Sequence, residues 1–344
     1  MTFTHPEPKN IIVRMPNWIG DLVMATPIIT DLRKAFPKAH ITALCRSPHS
    51  DLLKEDPDID ELFSFQKMND FSHRSKKKDL VQKIRQGKYD LGILLTNSFS
   101  SAWWFWQGKV SRIVGYKGQL RSLLLTDRVP LPKELSYQHL VISYKMLLQP
   151  LGIPVSESTP RLYLLDKELE EAKTLLARLG VKQNSVLVGI NPGAAYGTAK
   201  CWLPERFREV TEKLLKDPRI TLLYFGDQNT EPLIKQICAN LPERVINLAG
   251  LTSMRELASL IKLCDVLLTN DSGPMHMAAA LGTPLVALFG STNDTTTGPY
   301  KTGIVIHKHV ECSPCYKRVC PIDFRCMKRI EVKEVLDNIL KILS

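Results

Sequence analysis

No run of about 18 apolar residues occurs in this sequence, so no part of it reads as a transmembrane helix. The apolar stretch Ile11–Val13, behind a polar start with two prolines, is far too short for the core of a secretory signal. A cytoplasmic protein is expected. There is no Walker element, and no Gly-x-Gly-x-x-Gly follows a strand-like run, which disfavours P-loop hydrolysis and ordinary NAD binding. Short tandem repeats and low-complexity tracts are also missing, which leaves out repeat architectures. Acidic residues are scarce in one stretch. Residues 67–145 carry 15 Lys and Arg against 5 Asp and Glu, nearly all of the excess behind the net charge of +11. Such a field either keeps a surface soluble or attracts an anionic partner: nucleic acid, phospholipid headgroups or a phosphorylated substrate.

At 344 residues the chain is too long for one ordinary core, and two domains are the natural expectation. Its 44% hydrophobic and 24% charged residues are ordinary for a soluble globular protein. Short apolar runs alternate with amphipathic stretches. Strands are expected at 10–15, 40–45, 90–95, 185–191, 220–226, 265–269 and 284–289. Helices are expected at 21–36, 76–86, 139–151, 169–179, 204–215, 230–241, 254–262, 273–281 and 332–343. This alternation predicts an α/β fold of two doubly wound, Rossmann-like domains facing a central cleft. Ligands of such sheets bind beyond the carboxyl ends of the strands. Serine, proline and glutamate gather at 154–161. The expected division is therefore 1–157, then 158–330 with a cysteine-rich tail, then a terminal helix over 331–344.

Eight cysteines in a reducing compartment are thiols or metal ligands rather than disulfides. Four stand singly. Cys312, Cys315, Cys320 and Cys326 cluster, beginning as C-x2-C. Four thiolates can hold zinc or an iron–sulfur cluster, but the paired C-x2-C repeats of common zinc modules are absent, and packing thiols are the other reading.

Three strand-to-helix turns carry chemistry. In Asn270-Asp271-Ser272-Gly273-Pro274-Met275-His276 a β-branched apolar strand ends and a small-residue helix begins. Asp271 or Ser272 can cap that helix, Pro274 suits its first turn, and Gly273 lets a ligand approach the backbone. The turn reads either as a plain capped helix or as an anion site suited to a pyrophosphate. His276 by itself reads as a buried, satisfied histidine. At Asn17-Trp18-Ile19-Gly20-Asp21, the aspartate is either a helix cap or a general base able to take a sugar hydroxyl proton. The pliable loop from Asn191 through Gly193 ends at Lys200, either a solvated lysine or a cation for a leaving diphosphate.

Together these segments resemble the ADP-heptose:lipopolysaccharide heptosyltransferase family, glycosyltransferase family 9. The resemblance is carried by Pro16–Asp21, by Pro192-Gly193-Ala194 with Lys200-Cys201-Trp202, and by Asn270–His276 with Gly282-Thr283-Pro284. Gly290-Ser291-Thr292 and Gly298-Pro299 continue it, and it covers nearly the whole chain. Asn97–Ser101 and the cysteine tail look like the members that add the second heptose. The resemblance implies a GT-B fold with the acceptor on the N-terminal domain and ADP-heptose mostly on the C-terminal one. It implies an inverting transfer with no required cofactor or metal. It places Asp21 at the catalytic base and Lys200 at the donor phosphates. Gly193, Asp271, Ser272, Gly273 and His276 fall on the donor-binding segments, with Ser272 where the family often has Thr. Asp227, just past a strand, is the candidate for holding the adenosine ribose. The implied acceptor is a lipid A carrying Kdo and a first heptose, on the cytoplasmic face of the inner membrane. Arg74, Lys76, Lys77, Lys78, Arg112, Lys117 and Arg121 then become candidates for meeting its anions. Trp103, Trp104 and Trp106 either rest at the bilayer interface or pack within the domain. A peripheral monomer with no nucleic-acid partner is expected.

Other readings use the same features. One is addition of the first heptose, or transfer from another ADP-sugar. A nucleotide-sugar epimerase needs no lipid acceptor and leaves the basic half unexplained. A nucleic-acid-binding protein with a cysteine metal knuckle accounts for the charge and the tail, but not for the donor-type loops.

Overall fold

The apolar runs around Ile12 and Leu268 present buried side chains to both sides, the pattern of parallel strands covered by helices on both faces. A computed structural model describes residues 6–66, 74–132 and 137–344 and divides into two units, Met1–Leu162 and Tyr163–Ser344. The first unit runs β1 (Asn10–Arg14), α1 (Ile19–Met24), α2 (Thr26–Ala35), β2 (His40–Arg46), β3 (Glu61–Phe65) and α3 (Arg74–Gln86). It continues through β4 (Leu91–Leu94), α4 (Phe99–Gln107), β5 (Arg112–Tyr116), β6 (Asp127–Val129) and α5 (Leu140–Met146). Its six strands pair in parallel in the order β3-β2-β1-β4-β5-β6.

The second unit runs α6 (Asp166–Arg178), β7 (Val186–Asn191), α7 (Pro204–Leu214), β8 (Ile220–Tyr224), α8 (Glu231–Cys238), β9 (Val245–Asn247) and α9 (Met254–Leu263). Then follow β10 (Val266–Asn270), α10 (Gly273–Leu281), β11 (Leu285–Phe289), α11 (Asp294–Thr297), β12 (Ile304–His307), α12 (Arg325–Lys328) and α13 (Val332–Leu343). Its strands also pair in parallel, in the order β9-β8-β7-β10-β11-β12. Both units therefore have the same topology. In each, the winding reverses between the first strand and the fourth, at β1/β4 and at β7/β10. The crevice beyond the carboxyl ends at such a reversal is where open α/β sheets bind ligands.

Two expectations need refinement. The helix over 21–36 is two helices that break at Ala25. Pro27 stands in the first turn of α2, where its missing N–H costs nothing, and cannot continue a helix arriving from α1. The segment 154–161 is polar because it is bonded to the first unit. Buried Lys145 donates to the carbonyls of Ser156 and Ser158, whose hydroxyls donate to Asp31. Arg161 is paired with Asp56 and Asp58. At the other end, α13 lays Val335 and Ile339 into the core of the second unit beside Trp202 and Phe207. No helix of the described residues is long and apolar enough to cross a membrane.

Candidate active site

The β7/β10 reversal gathers the polar residues of the second unit. Asn191 closes β7 and Asn270 closes β10, and both are buried. Asn191 Nδ2 donates to Ser272 Oγ at 3.0 Å and to the Gly193 carbonyl at 3.0 Å. Asn270 accepts from the Trp202 N–H at 3.0 Å and donates to the Pro192 carbonyl at 2.7 Å, so one buried amide fixes both ends of the loop between them. That loop delivers Lys200, whose Nζ lies 2.5 Å from Asp271 Oδ2. Thr292 donates to the same oxygen at 2.6 Å. Asp271 thus does not cap α10; it holds Lys200. Ser272 occupies the N-cap position, yet its hydroxyl is turned to Asn191 and Thr269, and no side chain caps the helix. First-turn N–H groups left without a side-chain cap, next to an ammonium group, suit an anion.

Gly193 must stay small, because a Cβ there would meet the Thr230 side chain at 2.7 Å. Thr230 in turn donates its N–H and hydroxyl to Asp227 Oδ1, at 2.9 and 2.6 Å. Burial raises the Asp227 pKa, and the bonds from Thr230 and Asn229 outweigh it, holding the carboxyl below its ordinary range. Asp227 is exposed, on the turn ahead of α8. His276 is buried within α10.

The first unit has its own cavity, of about 690 Å³, at the carboxyl ends of its central strands. Arg14 ends β1, Arg46 ends β2 and Phe65 ends β3, and all three line it. Ser98 and Ser101, at the start of α4, line the β4 side, with Trp103, Trp104 and Lys77 beside them. Arg14 is 2% exposed, and its guanidinium sits 4.6 Å over the Phe65 ring. Burial brings its pKa down to about 10. Among the described residues, neither Arg14 nor Arg46 is paired with a carboxylate, and the Nε of each is buried without a partner. Arg14 already donates to Asn17 Oδ1 and to the Met15 and Leu44 carbonyls, and Arg46 is half-buried; guanidinium groups with no described carboxylate beside them favour an incoming anion. The sequence reading missed both: Arg14 sits inside an expected strand and Arg46 directly follows one.

Asp21 is half-buried in the first turn of α1, where the helix dipole favours a carboxylate; it does not cap the helix, whose N-cap is Trp18. The Tyr144 hydroxyl lies 3.5 Å from Asp21 Oδ1. Burial and the Asp21 charge push that phenol well above its usual range, so it remains a donor.

The proposed anion-binding residues do not form one group. Lys77 reaches the cavity, while Lys76, Lys78 and Lys117 are exposed. Arg112 is held bidentately by Asp127 and also donates to the Pro150 carbonyl. Arg121 is not a surface charge. It is 1% exposed and donates to Thr96 O and Asn97 Oδ1, supporting the loop before α4 from beneath. The Arg74 side chain lies outside the described residues.

The four clustered cysteines line a second cavity, of about 260 Å³, in the second unit. Among the described residues, the one group of ligand atoms within 4.8 Å of each other is Asp294, His307 and His309. Both ring nitrogens of His307 are already engaged, by Asp294 at 2.9 Å and by Ser313 at 2.8 Å.

The sequence model described as glycosyltransferase family 9 (heptosyltransferase) matches residues 78–324. The chain belongs to glycosyltransferase family 9. It is 31% identical over 314 residues to lipooligosaccharide heptosyltransferase 2 of Haemophilus influenzae, covering 88% of this chain and 89% of that one. Among solved structures it is similar to Escherichia coli ADP-heptose LPS heptosyltransferase II, with a TM-score of 0.82 at 26% identity and 97% and 98% of the two chains covered. It is also similar to a family 9 glycosyltransferase from Veillonella parvula, with a TM-score of 0.87 at 25% identity and 97% of each chain covered. The fold is GT-B and the protein is a glycosyltransferase, which sets aside the epimerase and nucleic-acid readings.

Replacing Asn270 with Ala leaves the Trp202 N–H and the Pro192 carbonyl buried without partners. The expected loss is about 1–3 kcal/mol of unfolding free energy, read from urea denaturation. An unchanged midpoint with an unchanged slope would show that the amide does not hold this loop.

Proposed function

We propose that this glycosyltransferase moves a heptose from ADP-heptose onto a lipid A acceptor already bearing Kdo and one heptose, with inversion at the anomeric carbon. The observation that carries the donor half is Lys200 held by Asp271 beside the N-terminus of α10, which no side chain caps. Lys200 and the backbone N–H groups at Ser272 and Gly273 receive the diphosphate. Gly193 lets it approach the backbone, and Asp227 takes the adenosine ribose. Both similar enzymes named as heptosyltransferase 2 or II support the second-heptose assignment.

Asp21 is the base in this reading. Its carboxylate takes the proton of an acceptor hydroxyl as that oxygen attacks the anomeric carbon from the face opposite ADP. The bond from the anomeric carbon to the phosphate oxygen breaks, and its electron pair leaves with ADP. The Tyr144 hydroxyl orients the carboxylate. Positive charge placed where the diphosphate departs does the stabilising work, so the reading routes no step through a metal.

The cavity of the first unit takes the acidic inner-core sugars. Arg14, Arg46 and Lys77 meet their carboxylate or phosphate groups, and the aromatic wall of Phe65, Trp103 and Trp104 packs against the sugar faces. Phe99, Trp103 and Trp106 stack along α4 and are about half exposed, while Leu120 and Leu123 are largely exposed on the neighbouring turn. Amphipathic rings beside exposed Lys76 and Lys78 support peripheral docking on an anionic cytoplasmic leaflet.

Incubation with ADP-heptose and mono-heptosylated Kdo-lipid A should add one heptose mass, and an acceptor lacking the first heptose should stay unmodified. Product from the truncated acceptor alone would move the enzyme to the first-heptose step. Asp21→Asn is expected to bind ADP as the parent does and to lose transfer by roughly 10²–10⁴-fold, the usual worth of a positioned base. Near-normal turnover by that variant would remove Asp21 from the base role.

A further inference from the structure

Residues 308–324 join β12 to α12 with no helix or strand of their own. A connection of that length in a compact unit is uncommon unless it has a function. Its sequence does little to hold it. Val310 is its one buried apolar side chain among the described residues, whereas Tyr316, Val319 and Ile322 are exposed. His309, Tyr316 and Phe324 sit in the left-handed region, at φ of 41°, 54° and 62°, a conformation that disfavours side chains larger than glycine. Small segments that cannot bury a core are commonly stabilised by a covalent or metal cross-link.

Three of the chain's eight cysteines lie here, and a fourth, Cys326, follows in α12. Cys312, Cys315, Cys320 and Cys326 line the one cavity of about 260 Å³, and all four are free thiols. Lys317 and Arg325 line it too, with Arg325 held by Asp323 and Glu311. The C-x2-C pair has the bite of a metal chelate, and the remaining two thiols complete four ligands, the number that a structural zinc or ferrous site takes. The nearby Asp294, His307 and His309 group is the poorer candidate, since both His307 nitrogens are occupied.

The same loop braces the donor site. Tyr316 N–H donates to the Ser291 carbonyl at 2.8 Å, next to the Thr292 that bonds Asp271. Ser313 Oγ donates to the Gly290 carbonyl at 2.5 Å. The Arg318 carbonyl accepts from Ala199 N–H at 3.0 Å, one residue before Lys200. A Cβ on Gly197 would collide with that same carbonyl, so the two loops touch through backbone. Tyr196 donates its hydroxyl to the Tyr316 carbonyl at 2.8 Å, and its ring lies under both Lys200 and Arg318.

We propose that Cys312, Cys315, Cys320 and Cys326 bind one thiophilic divalent ion, zinc or ferrous iron, and that this ion fixes the loop that braces Lys200. Binding converts four thiols to four thiolates and releases four protons to solvent. It leaves a site of net charge −2 beside Lys317 and Arg325. Among the described residues no three of these sulfurs lie within 4.8 Å of one another, so the cysteine side chains must turn toward the ion as it binds. The role is structural, and no electron transfer is involved. The metal itself stands apart from the donor reading; its effect on ADP rests on that reading.

The test is elemental analysis of the full chain, purified without chelators or an affinity tag that binds metal. About one zinc or iron per chain is expected. The double variant Cys315→Ser/Cys320→Ser should lose it, while His309→Ala keeps it. Stripped protein titrated with Co²⁺ should develop thiolate-to-cobalt charge-transfer absorption, a readout that does not depend on any variant folding. The stripped protein and the double variant should bind ADP several-fold more weakly. Wild-type protein with neither metal nor a cobalt spectrum would overturn the proposal. So would full metal retention in the double variant, and acid-labile sulfide would overturn the single-ion assignment. Normal metal content with ADP affinity unchanged on stripping would overturn the bracing role alone. Failure of the wild type to bind ADP at all would instead count against the donor reading.

Discussion

The ion pair between Lys200 and Asp271 is the constraint around which the second unit is arranged. The side chains are 14% and 4% exposed, so both charges are largely removed from water. Burying such a pair contributes little net stability, because desolvation offsets most of the attraction. What the pair does is hold an ammonium group in one place. Thr292 binds the same carboxylate oxygen, Asn270 fixes both ends of the loop that carries the lysine, and the cysteine-rich loop touches that loop through backbone. Three segments distant in sequence therefore converge on one lysine position. Such convergence suits a group that must receive charge developing on a departing diphosphate.

The two units use one topology for two tasks. In the second, the reversal at β7/β10 presents backbone N–H groups and a paired lysine. In the first, the reversal at β1/β4 presents arginines that no described carboxylate neutralises, beside an aromatic wall. A paired cation is positioned but restrained; an unpaired, desolvated one attracts an anion strongly. The difference fits a nucleotide handled in each turnover on one side and acidic sugars recognised on the other.

Much of this was legible in sequence. Alternating apolar runs and amphipathic stretches gave both doubly wound sheets, since parallel strands buried on both faces read as continuous apolar runs. The turns at Asp21 and at Asp271–Gly273 stood out because glycine, proline and short polar residues cluster at strand ends. Partners did not show. Asp271 reads locally as a cap, and only the fold brings Lys200 to it from 71 positions away. Charge counts failed differently. They cannot tell an outward lysine from Arg121, which points inward, or from Arg112, which Asp127 occupies. They also passed over Arg14 and Arg46, which end strands whose pattern gives no sign of a charged floor. The short strands β3, β5, β6, β9 and β12 and the aromatic helix α4 were not among the expected elements.

The central claim is that Lys200, held by Asp271, is the cation that receives the donor's diphosphate. Calorimetric titration of ADP and of adenosine against wild-type protein and Lys200→Ala tests it most directly. The account predicts that ADP binds the variant roughly 10–100-fold more weakly, the worth of a lost charge-assisted contact, while adenosine binds unchanged. Equal losses for both ligands, or none for ADP, would contradict it.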